Sequence, residues 1–370
     1  MRLLRVELAD FRNIARAELD PSPHFTALIG PNGQGKTNTL EAIYFASALK
    51  PLRSVQRHAL LRESTARARV LLRVERQTTG LVHDLEAVLE PRSRVLSKDG
   101  KRTTTTSFLG IAVCVAFTPD DLQLPKGSPE ARRRFLDRAL LNLRPAYLEK
   151  ALRYAKALKD RNRLLVEDAP DAMISAYDEL VAREGAAILI ARAAYVSELA
   201  PRVQAQFERI ASPAPPLALS YVSTLDLGGR NEEELRAFFL ERLEQRRRVD
   251  RKRRSTSLGP HLDDLDLTLS GEPVRDRASQ GQHRAIVLAL KLAEITHLAE
   301  RLGEAPILLL DDMSSELDPE RSRQLFEAVG QLEGQVILTS TEEPRGLSAT
   351  LPPNQPLVIY DVADGALVRR

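Results

Sequence analysis

The chain has 370 residues, 43% hydrophobic and 28% charged, an ordinary globular composition with room for two domains or for one domain carrying an insertion. Its net charge of +3 excludes a general polycation, so nucleic-acid contact would have to come from local basic patches. No apolar run approaches the ~20 residues of a membrane span, the first residues lack a signal peptide's apolar centre, and the single cysteine, Cys114, excludes an internal disulfide or a cysteine metal cluster; the expectation is a cytoplasmic protein with no membrane contact.

Near the start, Leu4, Val6 and Leu8 alternate with Arg5 and Glu7, which predicts a half-buried strand. Phe25–Ile29 is continuously apolar, the pattern of a strand covered on both faces. It runs into Gly30-Pro31-Asn32-Gly33-Gln34-Gly35-Lys36-Thr37, followed by a helical stretch through Leu49. Alternating segments over 67–75 and 83–90 predict a small antiparallel meander. From about residue 129 to 254 the pattern turns helical, with breaks at Pro145, at Ala169-Pro170 and in the proline cluster 212–217. Strand and helix then alternate again: a strand over 266–269 with a turn at 270–272, a helix over 282–298, and buried strands at Ile307–Leu310 and Val336–Ser340. The implied organisation is an α/β domain in two halves, 1–128 and 258–370, interrupted by a mainly helical arm at 129–257.

The segment 30–37 fits the pattern G-x-x-x-x-G-K-[ST] of a phosphate-binding loop. Glycines let the backbone turn tightly and aim successive N–H groups at phosphate oxygens. Lys36 would reach the β- and γ-phosphates of ATP, Thr37 would coordinate Mg²⁺, and the helix that follows adds its positive end. Ile307–Leu310 delivers Asp311 and Asp312 at the end of a buried strand, where open α/β sheets bind ligands. Asp311 is the expected second Mg²⁺ group and Asp312 the expected group that polarises the attacking water.

Ser279-Gln280-Gly281-Gln282 opens a helix shortly before that strand and resembles the signature of ABC-type ATPases; residues 314–318 resemble the D-loop. In proteins of that type the signature serine caps the ATP held by a second copy. The resemblance therefore implies an ABC-type P-loop head that dimerises around two ATP molecules, with Ser279, Gly281 and Gln282 acting in trans.

Further blocks narrow the resemblance. Leu8-Ala9-Asp10-Phe11-Arg12-Asn13, Gly33-Gln34-Gly35-Lys36-Thr37-Asn38, Phe117-Thr118-Pro119-Asp120-Asp121-Leu122, Arg132-Arg133-Arg134-Phe135-Leu136-Asp137 and Gly259-Pro260-His261-Leu262-Asp263-Asp264-Leu265 are similar, in order and from end to end, to the motifs of the RecF family of bacterial DNA-repair proteins. That family implies an ATP-gated, DNA-binding recombination mediator that works with RecO and RecR to load RecA at gaps, with weak ATP hydrolysis. It also implies that Arg12, Asn13 and Asn38 join the nucleotide site. Three departures stand out: Leu262 replaces an expected Arg, 50–54 matches an expected basic segment only loosely, and Thr339-Ser340-Thr341 occupies the place of a transporter's switch histidine. The rival readings are a transporter ATPase subunit, which would carry Glu at 312 and that histidine, and an SMC/Rad50-like head, which would need a far longer insertion.

For DNA contact, residues 246–254 carry seven bases and one acid at the end of a helix that begins with Asn231 and three glutamates. Acids first and bases last is partly what the helix dipole favours, and Asn231 with Glu234 predicts a capping box. Seven bases exceed what one last turn rewards. Arg132, Arg133, Arg247, Arg251, Lys252 and Arg254 are therefore the candidate contacts to phosphates of double-stranded DNA, with Arg53 and Arg57 as a further patch. With no tryptophan and 5% aromatics, base stacking is a poor mode.

Overall fold

The structure is a computed structural model that describes residues 1–53, 56–312, 319–331, 334–341 and 356–370. The chain forms two compact units. The first comprises Met1–Gln123, Gln206–Ser212 and Gln280–Arg370; the second comprises Leu124–Ala205 and Pro213–Ser279.

In the first unit, strands β1 (Arg2–Phe11) and β2 (Ile14–Leu19) begin an antiparallel sheet, and β3 (Phe25–Ile29) leads to helix α1 (Lys36–Ala48). The sheet continues with β4 (Ala68–Arg76), β5 (Leu81–Leu89), β6 (Arg94–Lys98) and β7 (Lys101–Arg102), in spatial order β2-β1-β4-β5-β6-β7. The meander predicted at 67–75 and 83–90 is β4 paired with β5. In β1 the expected inward Leu4 is instead 38% exposed and Leu3 is buried. The reason is an irregularity in the β1–β4 register between Leu3 and Arg5, which shifts the alternation by one residue ahead of Val6.

A short helix α2 (Thr105–Phe108) precedes β8 (Cys114–Phe117), which edges the second sheet. Cys114 is fully covered there, and burial pushes its thiol up to about 12, as expected of an inert core residue.

The second unit holds α3 (Pro129–Leu143), α4 (Tyr147–Val166), α5 (Asp171–Ile210, its last residues counted with the first unit), β9 (Leu217–Val222), α6 (Glu232–Arg253), β10 (Asp264–Leu269), β11 (Glu272–Pro273) and α7 (Val274–Arg277). The helix breaks fall where the prolines predicted them. The predicted capping box is present: Asn231 Oδ1 accepts from Glu234 N and Glu234 Oε2 accepts from Asn231 N, both at 3.0 Å. At Gly185 on α5 an added Cβ would stand 2.6 Å from the Phe239 ring of α6, so glycine permits that close approach. The strand β9 was not anticipated; it pairs antiparallel with β10, and residues 258–279 group with this unit. Ser270 and Gly271, both at positive φ, close the β10–β11 hairpin.

Back in the first unit are α8 (Gln280–Leu302), β12 (Ile307–Leu310), the helix Pro319–Gln331, β13 (Val336–Ser340), β14 (Leu357–Ala363) and β15 (Ala366–Arg369). The sheet order is β15-β14-β3-β13-β12-β8, parallel except for β15. Every residue of β3, β12, β13 and β8 is buried, which is why these strands read as unbroken apolar runs. Helix α1 packs between the two sheets against β4, β1, β13 and β8. Being covered all round, it shows no apolar stripe.

Among the described residues no helix is long and apolar enough to cross a membrane.

Candidate functional site

Because β3, β13, β12 and β8 run parallel, their C-terminal ends share one edge of the sheet, and the site forms there. The loop 30–35 leaves β3 and enters α1, whose N-cap Gly35 adopts φ 113°. Lys36 is 6% exposed and folds back so that its Nζ donates to Gly30 O (2.6 Å) and Pro31 O (2.8 Å). Loss of water pushes the Lys36 ammonium below its usual pKa, while Asp312 and Asp311 pull the other way.

Asp311 is 2% exposed. Its Oδ1 accepts from the Thr37 hydroxyl (2.6 Å) and from the Thr339 hydroxyl (3.0 Å), and its Oδ2 lies 3.4 Å from an Arg53 nitrogen. Asp312 N donates to Thr339 Oγ1 (2.9 Å). One hydroxyl on β13 thus organises both acids at the end of β12. Sequence reasoning gave Thr339 no role of its own, although it noted Thr339-Ser340-Thr341 at the place of a transporter's switch histidine, and Thr339 stands near the end of β13. Together Asn32, Gly33, Gly35, Lys36, Thr37, Asn38, Arg53, Pro119, Asp311, Asp312 and Thr339 line a cavity of about 300 Å³. The loop's backbone and Lys36 suit a polyphosphate, and the adjacent oxygens of Thr37 and Asp311 suit a hard divalent cation.

The loop is braced from two sides. Asn13 Nδ2 donates to Gly33 O (3.3 Å), and Asn38 Nδ2 donates to Asn13 Oδ1 (2.8 Å). Arg12 pairs with the buried Glu41 of α1 at 2.8 Å. On the other side, Gln34 Oε1 accepts from Asp364 N (2.7 Å) and Gln34 O from Gly365 N (2.8 Å), tying the loop to the β14–β15 turn. Here Gly30 has no room for a side chain, since a Cβ would lie 2.3 Å from Val362 O. Gly30→Ala is expected to cost about 1–3 kcal/mol by overpacking, seen as a melting temperature lower by roughly 2–10 °C. An unchanged melting curve would mean that the hairpin gives way freely.

Ser279 is exposed just ahead of α8, and Gly281 and Gln282 lie in the first turn of that helix, where Gly281 O accepts from Arg321 (3.3 Å). Gly281 and Gln282 are not among the cavity's lining residues. The expected D-loop at 314–318, Ser54 and the side chain of Arg57 fall outside the described residues.

The six basic candidates divide. Arg132 is 6% exposed and grips Asp264 with two nitrogens at 2.6 and 2.7 Å. Arg133 donates to Asp263 O (2.7 Å), and Arg247 pairs with Asp178 (2.7 Å). Arg251 pairs with Asp168 and Asp171. These four are engaged within their own unit. Lys252 and Arg254 are exposed at the end of α6, together with Arg246, Arg248 and Arg253.

Comparison with known proteins agrees with this geometry. Residues 2–351 match the family model of the RecF/RecN/SMC N terminal domain. The chain is 45% identical over 349 residues to the DNA replication and repair protein RecF of Myxococcus xanthus (strain DK1622), covering 92% of this chain and 91% of that one. A solved structure of the recombination mediator protein RecF-ATP in the RecFOR pathway superposes with a TM-score of 0.89 at 28% identity, covering 100% of this chain and 97% of the other. An Smc head bound to the C-winged helix domain of ScpA matches at a TM-score of 0.56 and 15% identity, a likeness of fold alone. An α/β head of ABC type with a helical insertion, carrying a phosphate loop and two acids on one sheet edge and matching these relatives over nine-tenths of its length, belongs to the RecF family of DNA replication and repair proteins.

Proposed function

We propose that this chain is an ATP-dependent, DNA-binding recombination mediator: ATP draws two copies together on duplex DNA near a gap, and slow hydrolysis resets the clamp. The observation that carries this reading is the cavity that joins Lys36, Thr37, Asp311, Asp312 and Thr339 on one sheet edge. Thr37 and Asp311 would hold Mg²⁺, which when bound neutralises charge on the β- and γ-phosphates. Lys36 and the loop N–H groups hold the polyphosphate, and Asp312 orients the attacking water. Gly33, Gln34, Gly35 and Asn38 shape the cradle, with Arg12 and Asn13 bracing it. Ser279, Gly281 and Gln282 cap the nucleotide of a second copy, so that ATP lies within a two-fold interface. RecO, RecR and the loading of RecA at single-strand/double-strand junctions enter through membership of the RecF family.

The DNA surface with the best support is the end of α6, where Lys252, Arg253 and Arg254 are exposed next to Arg246 and Arg248. Replacing Lys252, Arg253 and Arg254 by Gln is expected to weaken DNA binding and to flatten its salt dependence by up to ~2.7 units of slope; an unchanged slope would return these residues to a solvated helix end. Ser279→Arg is expected to bind ATP as a monomer and to fail to self-associate, as read by light scattering, and an ATP-dependent dimer of this variant would refute the sandwich. The reading as a whole is tested by the anisotropy of a labelled gapped duplex, titrated with and without Mg²⁺-ATP. Affinity should rise with ATP; equal affinity in both arms would remove the ATP gate.

A further inference from the structure

The motif Gly259–Asp264 has no part in the nucleotide cavity, yet nearly every polar group in it is committed. Pro260 O accepts from Arg192 (2.6 Å), and His261 contacts the Tyr154 hydroxyl (2.7 Å) and Thr256 O (3.1 Å). Asp263, 1% exposed, accepts from the Tyr221 hydroxyl (2.5 Å) and from Thr224 N (3.0 Å). Asp264 takes the two-pronged grip of Arg132, whose Nη1 also donates to Gly127 O (2.8 Å). Burial works against the Asp264 carboxylate, but the hydrogen bonds from Arg132 and from Leu265 N hold it below the usual range.

These bonds fasten one point, the start of β10, to α3 and to β9. From that point the chain runs without a loose stretch to the signature serine. β10 is the centre of its three-stranded sheet, the Ser270-Gly271 turn returns it as β11, and Val274 of α7 is fully buried. Ala278 N donates to Val274 O (3.2 Å), and Ser279 is next and exposed. All of these residues lie in the second unit, with Ser279 as its last member. A paired-nitrogen grip on a carboxylate fixes direction as well as distance.

We propose that Asp263 and Asp264, with Tyr221 and Arg132 as their donors, are positioning residues for Ser279: the clasp sets where the signature serine meets the ATP of the second copy. The inference rests on the ATP sandwich proposed above. It separates two properties, because the ATP cavity is built wholly from the first unit and the clasp wholly from the second.

Asp264→Asn should leave the affinity of the monomer for a fluorescent ATP analogue within about twofold of the parent, while ATP-dependent self-association falls about tenfold. Tyr221→Phe keeps the ring and loses the hydroxyl's bond to Asp263 and its contact with Arg192. It should weaken association about threefold, and it carries the test if loss of the Asp264 charge prevents folding. In a mixture of Asp264→Asn with Lys36→Met, the one remaining nucleotide site takes its loop from the first chain and its Ser279 from the second, whose clasp is intact. With Lys36→Met in large excess, so that nearly every other chain pairs with it, ATP trapping should equal that of the parent mixed with the same excess of Lys36→Met. Parent-like association of both clasp variants, or no recovery in the mixture, overturns the proposal. A parent that does not associate with ATP at all overturns instead the sandwich on which it rests.

Discussion

Replacing Lys36 by methionine is expected to lower ATP affinity at least ~100-fold, the equivalent of roughly 2.7 kcal/mol for charged hydrogen bonds that methionine cannot make. The side chain is held in place by Gly30 O and Pro31 O, at 2.6 and 2.8 Å, so the ammonium is already inside the cradle before a phosphate arrives. Methionine fills similar space and leaves the loop's other braces, from Asn13 and from the β14–β15 turn, untouched. The loss should therefore be one of affinity and not of folding. Titration of a fluorescent ATP analogue checks the first point and a melting curve the second; parent-like affinity in a folded variant would remove Lys36 from the site and take the proposed ATP-driven dimer with it.

The second large effect is expected in the second unit, none of whose residues lines the nucleotide cavity. Arg161 of α4 is fully buried and donates to Asp178 of α5 (2.6 Å), to Asp250 of α6 (2.9 Å) and to the Thr256 hydroxyl (2.8 Å). Both aspartates are fully buried as well. Removing the shared cation leaves two carboxylates in the interior, partly served by Arg247 at Asp178 and by Ser257 at Asp250. Arg161→Leu is expected to destabilise the second unit by about 3–5 kcal/mol, the usual result of breaking a buried pair from one side. Urea unfolding followed by tyrosine fluorescence reports it, because Tyr147, Tyr154, Tyr177, Tyr195 and Tyr221 lie in that unit. A loss below about 1 kcal/mol would show that water or a neighbouring base replaces the guanidinium.

The two variants mark how far sequence reading reaches. The phosphate loop, Asp311 and Asp312, the strands Ile307–Leu310 and Val336–Ser340, and the Asn231–Glu234 box are coded by neighbours in the chain, and each stands where it was expected. What stayed hidden depends on distant partners. Arg132 looks like a surface base until Asp264, 132 positions away, is brought against it; Arg247 and Arg251 look so until α5 and the turn before it arrive. The strand β9 lay behind a proline cluster that signalled only a break, and its partner β10 lies beyond the whole of α6. The exchange of Leu4 for Leu3 as the buried residue follows from one irregular pairing with β4, which no period-2 pattern in β1 alone can reveal.

At the end of β12, Asp312 has φ 50°, a backbone twist that most side chains resist and that Asp and Asn tolerate best. Its amide is held there by Thr339. The main chain thus favours a short acid at this place before any chemistry is considered. Lengthening the side chain to Glu would therefore change the carboxylate's reach and the backbone preference together, which blurs what the exchange reports. Asn, equally at home in this conformation, would remove the negative charge and leave the presentation intact, which makes the amide, and not the longer acid, the informative exchange for testing the role proposed for Asp312.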